Sequence, residues 1–254
     1  GGAEMKIRFL KQVAAAAVAA CLALVLSARG GATIYVNGAN TGPEDGATLE
    51  TGWSTITEGL DALAASNAVS LGGHTVMIGP GTYPGGIALA AAHAGVEGAT
   101  NRVAATPGTV TVTGGVYGVS INTGGRAYLA IEGLRVTQSA NDGIYVTSSR
   151  DVTIRGCAVF AVLNESNGHG HGIYIGGANT TLYGEVLIDH CTVYGNAVHG
   201  IRQTYYARIR VRNSAVVNNN GFGVCEWHGG GWEVVLENNN VFGNGLGNFY
   251  NTQT

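Results

Sequence analysis

A short phrase recurs through the second half of the chain, and its spacing constrains the fold more than any other feature. Each copy has a glycine, followed in most copies by Ile or Val, then a strand-like run, and then a Cys, Ser or Asn before a Val. The copies begin at Gly118, Gly143, Gly172, Gly200, Gly223 and Gly247, at intervals of 25, 29, 28, 23 and 24 residues. A period of this size indicates a solenoid, in which each repeat builds one coil.

The content of each repeat predicts strands rather than helices. Short alternating stretches such as Ile144-Tyr145-Val146 are rich in β-branched residues, are broken by Gly, Asn and Ser, and lack helical spacing of apolar residues. A leucine-rich repeat would have a shorter leucine skeleton, and a propeller blade would have a longer period. We therefore predict an all-β chain that forms a parallel β-helix.

Aligning the copies places similar residues in columns. The first apolar column contains Ile131, Ile154, Ile188, Val211 and Leu236, and the second, five residues later, contains Val136, Val159, Val193, Val216 and Val241. A third column, three residues further on, contains Asn196, Asn219 and Asn244. We expect the apolar columns to point inward and the asparagines to form a ladder of amide hydrogen bonds between coils.

Two cysteines share a column between the apolar ones. Cys157 and Cys191 lie on neighbouring coils, where the strand spacing of about 4.8 Å permits a disulfide. A buried cysteine also behaves as a small hydrophobic residue, and we favour two buried thiols.

Composition and charge restrict the class of protein. Of 254 residues 42 are Gly and only 4 are Pro, and charged residues make up 11%. This composition favours turns over soluble helices, and one elongated domain accounts for it. The net charge of −3 and the lack of basic clusters argue against a nucleic-acid partner.

The amino-terminal residues predict export. Lys6, Arg8 and Lys11 precede an apolar run at residues 13–26, and small residues follow up to Ala32. This pattern is typical of a secretory signal peptide, so we assign residues 1–32 to a start remnant and signal and predict a secreted or cell-surface protein. The run is shorter than the roughly 20 residues of a membrane span, so we expect no stable span in the mature chain. A lipoprotein-like box ending at Cys21 leaves a lipid anchor as the alternative.

Residues 33–83 differ from the repeats. Thr55 and Glu58 have the spacing of a capping box, and the four residues that follow one helical face are Ile56, Leu60, Leu63 and Ala64. A helix here would cover the open apolar end of the first coil. We therefore predict an amino-terminal capping helix that leads into the first coil, with residues 84–254 forming the repeats.

This region also carries a family resemblance. The Ile34-Tyr35-Val36 opening, the Trp-Ser-Thr-Ile segment at residues 53–56 and the strand at residues 76–83 that ends in Pro-Gly-Thr-Tyr are similar to the start of secreted right-handed parallel β-helix proteins of the pectate-lyase-like superfamily. Residues 101–110 resemble the early coil that follows. The resemblance implies a right-handed β-helix, while the activities of the superfamily range from polysaccharide lyases and glycoside hydrolases to noncatalytic proteins.

Departures from the regular period indicate where a site would lie. The two longest repeats contain insertions at residues 163–170 and 176–184, and insertions in solenoids often collect on a binding face. Our catalytic candidates are His171, His199, Arg202 and Tyr174, and our candidates for substrate binding are Asp142, Tyr145, Glu165, Glu226 and His228. If the neighbouring isoleucines point inward, the tyrosines and Arg202 form an outward stripe beside the histidines. The same histidines are also consistent with solvent-facing turn residues.

The chemistry of these residues leaves several functions open. A uronide lyase needs a group that neutralises the carboxylate, here Arg202, a base such as His171 or His199, and an acid such as Tyr174. A glycoside hydrolase instead needs two carboxylates about 5 to 10 Å apart. We therefore predict a protein that interacts with polysaccharide, as a lyase or hydrolase, with a noncatalytic surface or adhesive β-helix as the alternative. No aspartate cluster indicates a metal site, and the sequence identifies no cofactor.

The chain stops at Thr254, shortly after a new repeat begins. An uncovered last coil exposes strand edges that can pair with another chain. We expect either a truncated sequence or end-to-end self-association.

Overall fold

The computed structural model describes residues 31–164, 168–176, 184–204, 207–227 and 233–251. It is a right-handed parallel β-helix with one α-helix near the amino-terminus, as predicted. Three parallel sheets of eight, seven and seven strands run along the solenoid, and successive coils contribute successive strands to each sheet. The predicted signal segment lies outside the described residues except for its last two positions.

The strands are numbered in chain order. Sheet 1 contains β1 (Thr33–Val36), β2 (Thr75–Ile78), β5 (Asn101–Ala105), β8 (Leu129–Glu132), β11 (Val152–Arg155), β14 (Glu185–Asp189), β17 (Arg208–Arg212) and β20 (Val234–Glu237). Sheet 2 contains β4 (Ile87–Ala90), β7 (Val119–Asn122), β10 (Ile144–Thr147), β13 (Ile173–Gly176), β16 (Ile201–Thr204), β19 (Phe222–Trp227) and β22 (Gly247–Asn251). Sheet 3 contains β3 (Gly81–Pro84), β6 (Val110–Thr113), β9 (Arg135–Thr137), β12 (Ala158–Phe160), β15 (Thr192–Tyr194), β18 (Ala215–Val217) and β21 (Asn240–Phe242).

Both predicted apolar columns are confirmed. The column that begins at Ile131 pairs in register along sheet 1, and the column that begins at Val136 does the same along sheet 3. Their members are buried, except that Leu236 and Val241 in the last coil are partly exposed. The interior of the solenoid is therefore one continuous apolar core, because each coil covers the apolar side chains of the previous one.

The asparagine ladder is also confirmed. Asn196 Nδ2 donates to Asn219 Oδ1 at 2.8 Å, and Asn219 Nδ2 donates to Asn244 Oδ1 at 3.0 Å. Each Oδ1 also accepts the backbone N–H of the preceding asparagine, at 3.2 and 3.0 Å. The ladder thus satisfies buried polar groups at a bend where regular strand pairing is interrupted.

The cysteines of the core are thiols. Cys157 and Cys191 are buried and free, and each Sγ donates to a nearby backbone carbonyl oxygen, that of Arg155 and that of Asp189 respectively, at 3.4 Å. This confirms the buried-thiol interpretation over the disulfide.

Helix α1 (Ile56–Val69) has the predicted cap. Thr55 Oγ1 accepts the backbone N–H of Glu58 at 3.2 Å, and the Glu58 carboxylate accepts the backbone N–H of Thr55 at 3.0 Å. Ile56, Leu60 and Leu63 are buried, whereas Ala64 is only partly covered. No helix among the described residues is long and apolar enough to span a membrane.

Replacing Asn219 with alanine tests the ladder. The change removes amide bonds to both neighbouring coils and leaves the buried backbone N–H of Asn196 without its acceptor, so we expect a loss of about 2 to 3 kcal/mol in the free energy of unfolding. Denaturant unfolding followed by circular dichroism measures it. The control is Asn220→Ala, an exposed neighbour, which should change stability by less than about 0.5 kcal/mol. Equal effects of the two variants would contradict the role of the ladder.

Candidate functional site

The outward face of sheet 2 carries the predicted aromatic stripe. Tyr145 pairs in register with Tyr174, and Tyr174 pairs with Arg202. The two tyrosine rings stack with centroids 5.0 Å apart and an interplanar angle of 14°. Tyr117 extends the stack, with its ring centroid 4.2 Å from that of Tyr145. We call Tyr117, Tyr145 and Tyr174 the tyrosine stack.

Arg202 continues this stack on the next coil. Its guanidinium carbon lies 5.9 Å from the ring centroid of Tyr174 and 5.2 Å from that of Trp227, so the cation lies between two aromatic rings. Its Nη1 also donates to the carbonyl oxygen of Gly168 at 3.0 Å. These contacts hold a positive charge at one end of the tyrosine stack.

The environment of the stack affects the hydroxyl group of Tyr145. Burial, and then the neighbouring Tyr117, Tyr174 and Asp142, raise the pKa of Tyr145 above its usual value. The hydroxyl groups of Tyr174 and Thr204 lie 2.9 Å apart. The hydroxyl group of Tyr145 is therefore held in its neutral form.

Asp142, His171 and His199 form a second column at the bend before sheet 2. Asp142 Oδ1 accepts the backbone N–H of His171 at 2.9 Å, His171 Nδ1 accepts that of His199 at 3.3 Å, and His199 Nδ1 accepts that of Phe222 at 2.9 Å. The two imidazole rings stack with centroids 5.0 Å apart. We call this column the turn ladder, because each side chain binds the backbone of the next coil.

The interpretation of these histidines as solvent-facing turn residues is wrong. Asp142 and His171 are fully buried and His199 is 7% exposed. Burial, and then the charge of Arg202, lower the pKa of His171 to about 3 and that of His199 to about 4. Nε2 of His171 also lies 3.0 Å from the Gly168 carbonyl oxygen and 2.9 Å from Arg202 Nη1. Both nitrogens of the His171 ring are thus engaged by the protein.

His169 connects the turn ladder to the tyrosine stack. Its Nδ1 lies 2.9 Å from Asp142 Oδ2, and its ring meets the ring of Tyr117 edge-on at 6.1 Å. Its side chain is 26% exposed, whereas that of Asp142 is fully buried. The sequence analysis chose His171 rather than His169, because spacing alone does not tell which of the two neighbouring histidines is buried.

Glu226 is the other predicted site residue that the structure describes. Glu226 pairs in register with the buried Gln203, at an inward position of sheet 2, and Cys225 is the residue beside Arg202 in the stripe. Burial raises the pKa of Glu226. Glu226 therefore points inward, on the same face as Val224 two residues before it. Glu165 and His228 lie outside the described residues.

No metal centre is found in the described part of the chain, where no three His, Cys, Asp or Glu side chains form a group suited to a cation.

The turn ladder makes stability depend on pH. The depressed pKa values mean that the unfolded chain binds more protons than the folded one below the ordinary histidine pKa of about 6.5. The free energy of unfolding should therefore fall as the pH falls from about 6.5 towards 4, by about 2 kcal/mol per histidine between pH 7 and pH 5. Denaturant unfolding at a series of pH values measures this.

The matched variant is the double substitution His171→Asn and His199→Asn. An asparagine Oδ1 can accept the same backbone N–H without titrating, as in the asparagine ladder. We expect the free energy of unfolding of this variant to depend less on pH than that of the wild type. A profile parallel to that of the wild type would contradict the assignment.

Comparisons with known proteins agree with this architecture. The fold is similar to that of pectate lyase Pel9A, with a TM-score of 0.55, 17% identity, and coverage of 87% of this chain and 61% of that chain. Rhamnogalacturonan lyase is a more distant neighbour, with a TM-score of 0.46, 12% identity, and coverage of 87% of this chain and 63% of that chain. The alginate lyase from Paenibacillus sp. str. FPU-7 has a TM-score of 0.42 and 12% identity, with 86% of this chain and 97% of that chain covered.

The match to Pel9A shows similarity of fold, and the chain spans less than two thirds of Pel9A. No curated protein matches its sequence significantly. Residues 95–254 match the family described as the right handed beta helix region, which is more than half of the chain. The protein therefore belongs to the right-handed β-helix family.

Proposed function

We propose that this protein is a carbohydrate-active β-helix that binds an acidic polysaccharide along the tyrosine stack and cleaves it by β-elimination. The observation that carries this proposal is the continuous row of Tyr117, Tyr145 and Tyr174 that ends at Arg202. A row of hydroxyl groups that ends at a fixed cation suits a chain of sugars that carries carboxylates. The name of Pel9A, a pectate lyase, is consistent with a ligand of this class.

The geometry of the stack supports binding through hydrogen bonds. The rings cover one another's faces, so they offer a ligand their edges and hydroxyl groups. The ring centroids follow one another at 4.2 and 5.0 Å, close to the spacing of about 4.8 Å between parallel strands. Sugar hydroxyls and ring oxygens are suitable partners, since each phenol both donates and accepts.

Arg202 supports the choice of an acidic ligand. It contacts aromatic rings and a carbonyl oxygen, whereas Arg210 and Arg212 of sheet 1 form ion pairs with Glu185 and Asp189. A guanidinium at the end of the tyrosine stack can neutralise a uronate carboxylate and thereby acidify the proton on the adjacent carbon.

Elimination is favoured over hydrolysis by the carboxylates of the described residues. A glycoside hydrolase needs two carboxyl groups about 5 to 10 Å apart across the scissile bond. Both oxygens of Asp142 are engaged, by His171 and His169, and Glu226 occupies an inward position. Neither carboxylate is disposed as a nucleophile or base on the outward face.

A noncatalytic glycan-binding protein is the second candidate. It is favoured by the turn ladder, in which His171 and His199, two of the four catalytic candidates, bind backbone N–H groups of the next coil. In this function the stack and Arg202 would bind polysaccharide without turnover.

We also propose that the protein is exported. The basic residues before the apolar run at residues 13–26 support a signal peptide, with a lipid anchor at Cys21 as the alternative. An exported protein would meet extracellular polysaccharides.

Binding and turnover test the proposal directly. The wild-type protein should bind acidic polysaccharides more tightly than neutral ones, and digestion of an acidic one should produce the ultraviolet absorbance of an unsaturated uronate. Affinity electrophoresis and absorbance measure the two. Tight binding without new absorbance would favour the noncatalytic function, and failure to bind any acidic polysaccharide would contradict both.

The substitution Arg202→Gln tests the role of the cation. Loss of a charged hydrogen bond of about 1.5 to 3 kcal/mol should weaken binding of acidic polysaccharide roughly 10- to 100-fold and leave binding of neutral polysaccharide unchanged. The matched control is Arg135→Gln, because Arg135 also lies over an aromatic ring, that of Phe160 at 5.2 Å, but belongs to sheet 3. Equal losses in the two variants would show a general charge effect.

A further inference from the structure

A buried aspartate and a partly exposed histidine form a hydrogen-bonded pair beside the tyrosine stack. Asp142 is fully buried and receives a hydrogen bond at each oxygen, from the backbone of His171 and from the His169 ring. His169 is the partly exposed member. We infer that His169, oriented by Asp142, is the general base of the elimination. This inference rests on the function proposed above.

The hydrogen bond to Asp142 determines which ring nitrogen of His169 is left to accept a proton from a ligand. A carboxylate accepts but does not donate, so His169 Nδ1 carries the proton in this contact. In the neutral ring Nε2 then carries the lone pair. The same arrangement of carboxylate and imidazole orients the base in serine hydrolases.

The local backbone places the His169 ring beside the tyrosine stack. Gly168 and Gly170, on either side of His169, have φ of 77° and 99°, in the region that favours glycine. A side chain at Gly170 would collide with the carbonyl oxygen of Asn164. The Gly168 carbonyl oxygen binds Arg202, so the same short segment positions both the imidazole and the cation.

A series of contacts connects His169, the tyrosine stack and Arg202. His169 meets Tyr117 edge-on, the tyrosine stack leads from Tyr117 to Tyr174, Arg202 covers Tyr174, and Gly168 links Arg202 back to His169. A base, hydroxyl donors and a carboxylate-binding cation are therefore held on one face.

The elimination uses these groups as follows. Arg202 binds the uronate carboxylate, and His169 Nε2 takes the proton from the carbon next to it. The electron pair of that C–H bond forms the carbon–carbon double bond, the adjacent C–O glycosidic bond breaks, and the leaving oxygen takes a proton from a hydroxyl of the tyrosine stack. The products are an unsaturated uronate and a new chain end, and no oxidant or reductant is needed.

His171 and His199 are less suited to this role. Nδ1 of each ring accepts a backbone N–H in the turn ladder, and both side chains are at least nine-tenths buried. They act through the fold, by holding the bend from which His169 projects.

The chain contains a matched control for the pair. His190 Nδ1 lies 2.7 Å from Asp189 Oδ1, but Asp189 also pairs with Arg155 and Arg212 in sheet 1, away from the tyrosine stack. Each pair has the same kind of contact, between an imidazole Nδ1 and a carboxylate oxygen, and the two pairs differ in their surroundings. A general effect of losing an aspartate–histidine pair would therefore show at His190 as well.

The experiment compares His169→Ala, Asp142→Asn and His190→Ala with the wild type on an acidic polysaccharide that the wild type cleaves. Removal of a general base should lower kcat about 10²- to 10⁴-fold in His169→Ala with KM changed less than about threefold. Added imidazole should restore part of that activity and leave the wild type unchanged. His190→Ala should retain wild-type kcat.

Asp142→Asn tests the positioning residue. The asparagine Oδ1 can still accept the backbone N–H of His171, so the melting temperature should stay near that of the wild type. Its amide donates to His169 and favours the tautomer whose Nε2 is protonated, so kcat should fall with KM retained, as in the serine hydrolase case.

The outcomes separate this inference from the proposed function. Turnover by the wild type with full activity in His169→Ala would overturn the base assignment and leave the lyase function standing. Binding of polysaccharide with no turnover by the wild type would overturn both the elimination and the base. Loss of activity in His169→Ala without imidazole rescue, together with lost binding or a lowered melting temperature, would also overturn the assignment.

Discussion

The structure depends on the hydrogen bonds between parallel strands of successive coils. Because these strands pair in register in all three sheets, residues at equivalent positions are held about 4.8 Å apart along the solenoid. A residue type repeated in the sequence therefore becomes a column in space. Apolar columns form the core, asparagines satisfy the polar groups of a bend, and aromatic residues on the outer face stack on one another.

The candidate site arises where this regularity is interrupted. Ser120 precedes Tyr145 in the sheet 2 column, and the ring of Tyr117, from the bend before it, stacks on Tyr145 instead. The insertion that contains Gly168 and His169 brings an imidazole and a carbonyl oxygen to the same face. A scaffold of repeats thus supplies rigidity, while a departure from the repeat supplies the imidazole and the carbonyl oxygen.

Much of the fold followed from the sequence because its signals are local and periodic. The apolar columns, the asparagine ladder, the capping box at Thr55 and the alignment of Tyr145 with Tyr174 and Arg202 were all predicted correctly. The errors concern burial and direction. His171 and His199 were also consistent with exposed turn residues, yet their rings bind the backbone of the next coil. The inward register of Glu226, a candidate for substrate binding, was not foreseen.

By itself, the sequence determined the period, the strand type of each repeat and the columns, since these depend on spacing and on the preferences of single residues. Only the tertiary structure decided which polar residues meet. Asp142 and His169 are 27 positions apart, and their hydrogen bond joins neighbouring coils, where the Gly170 N–H also donates to the Asn141 carbonyl oxygen. The burial of one partner and the exposure of the other depend on packing between coils, and that is set by the whole solenoid rather than by any one repeat.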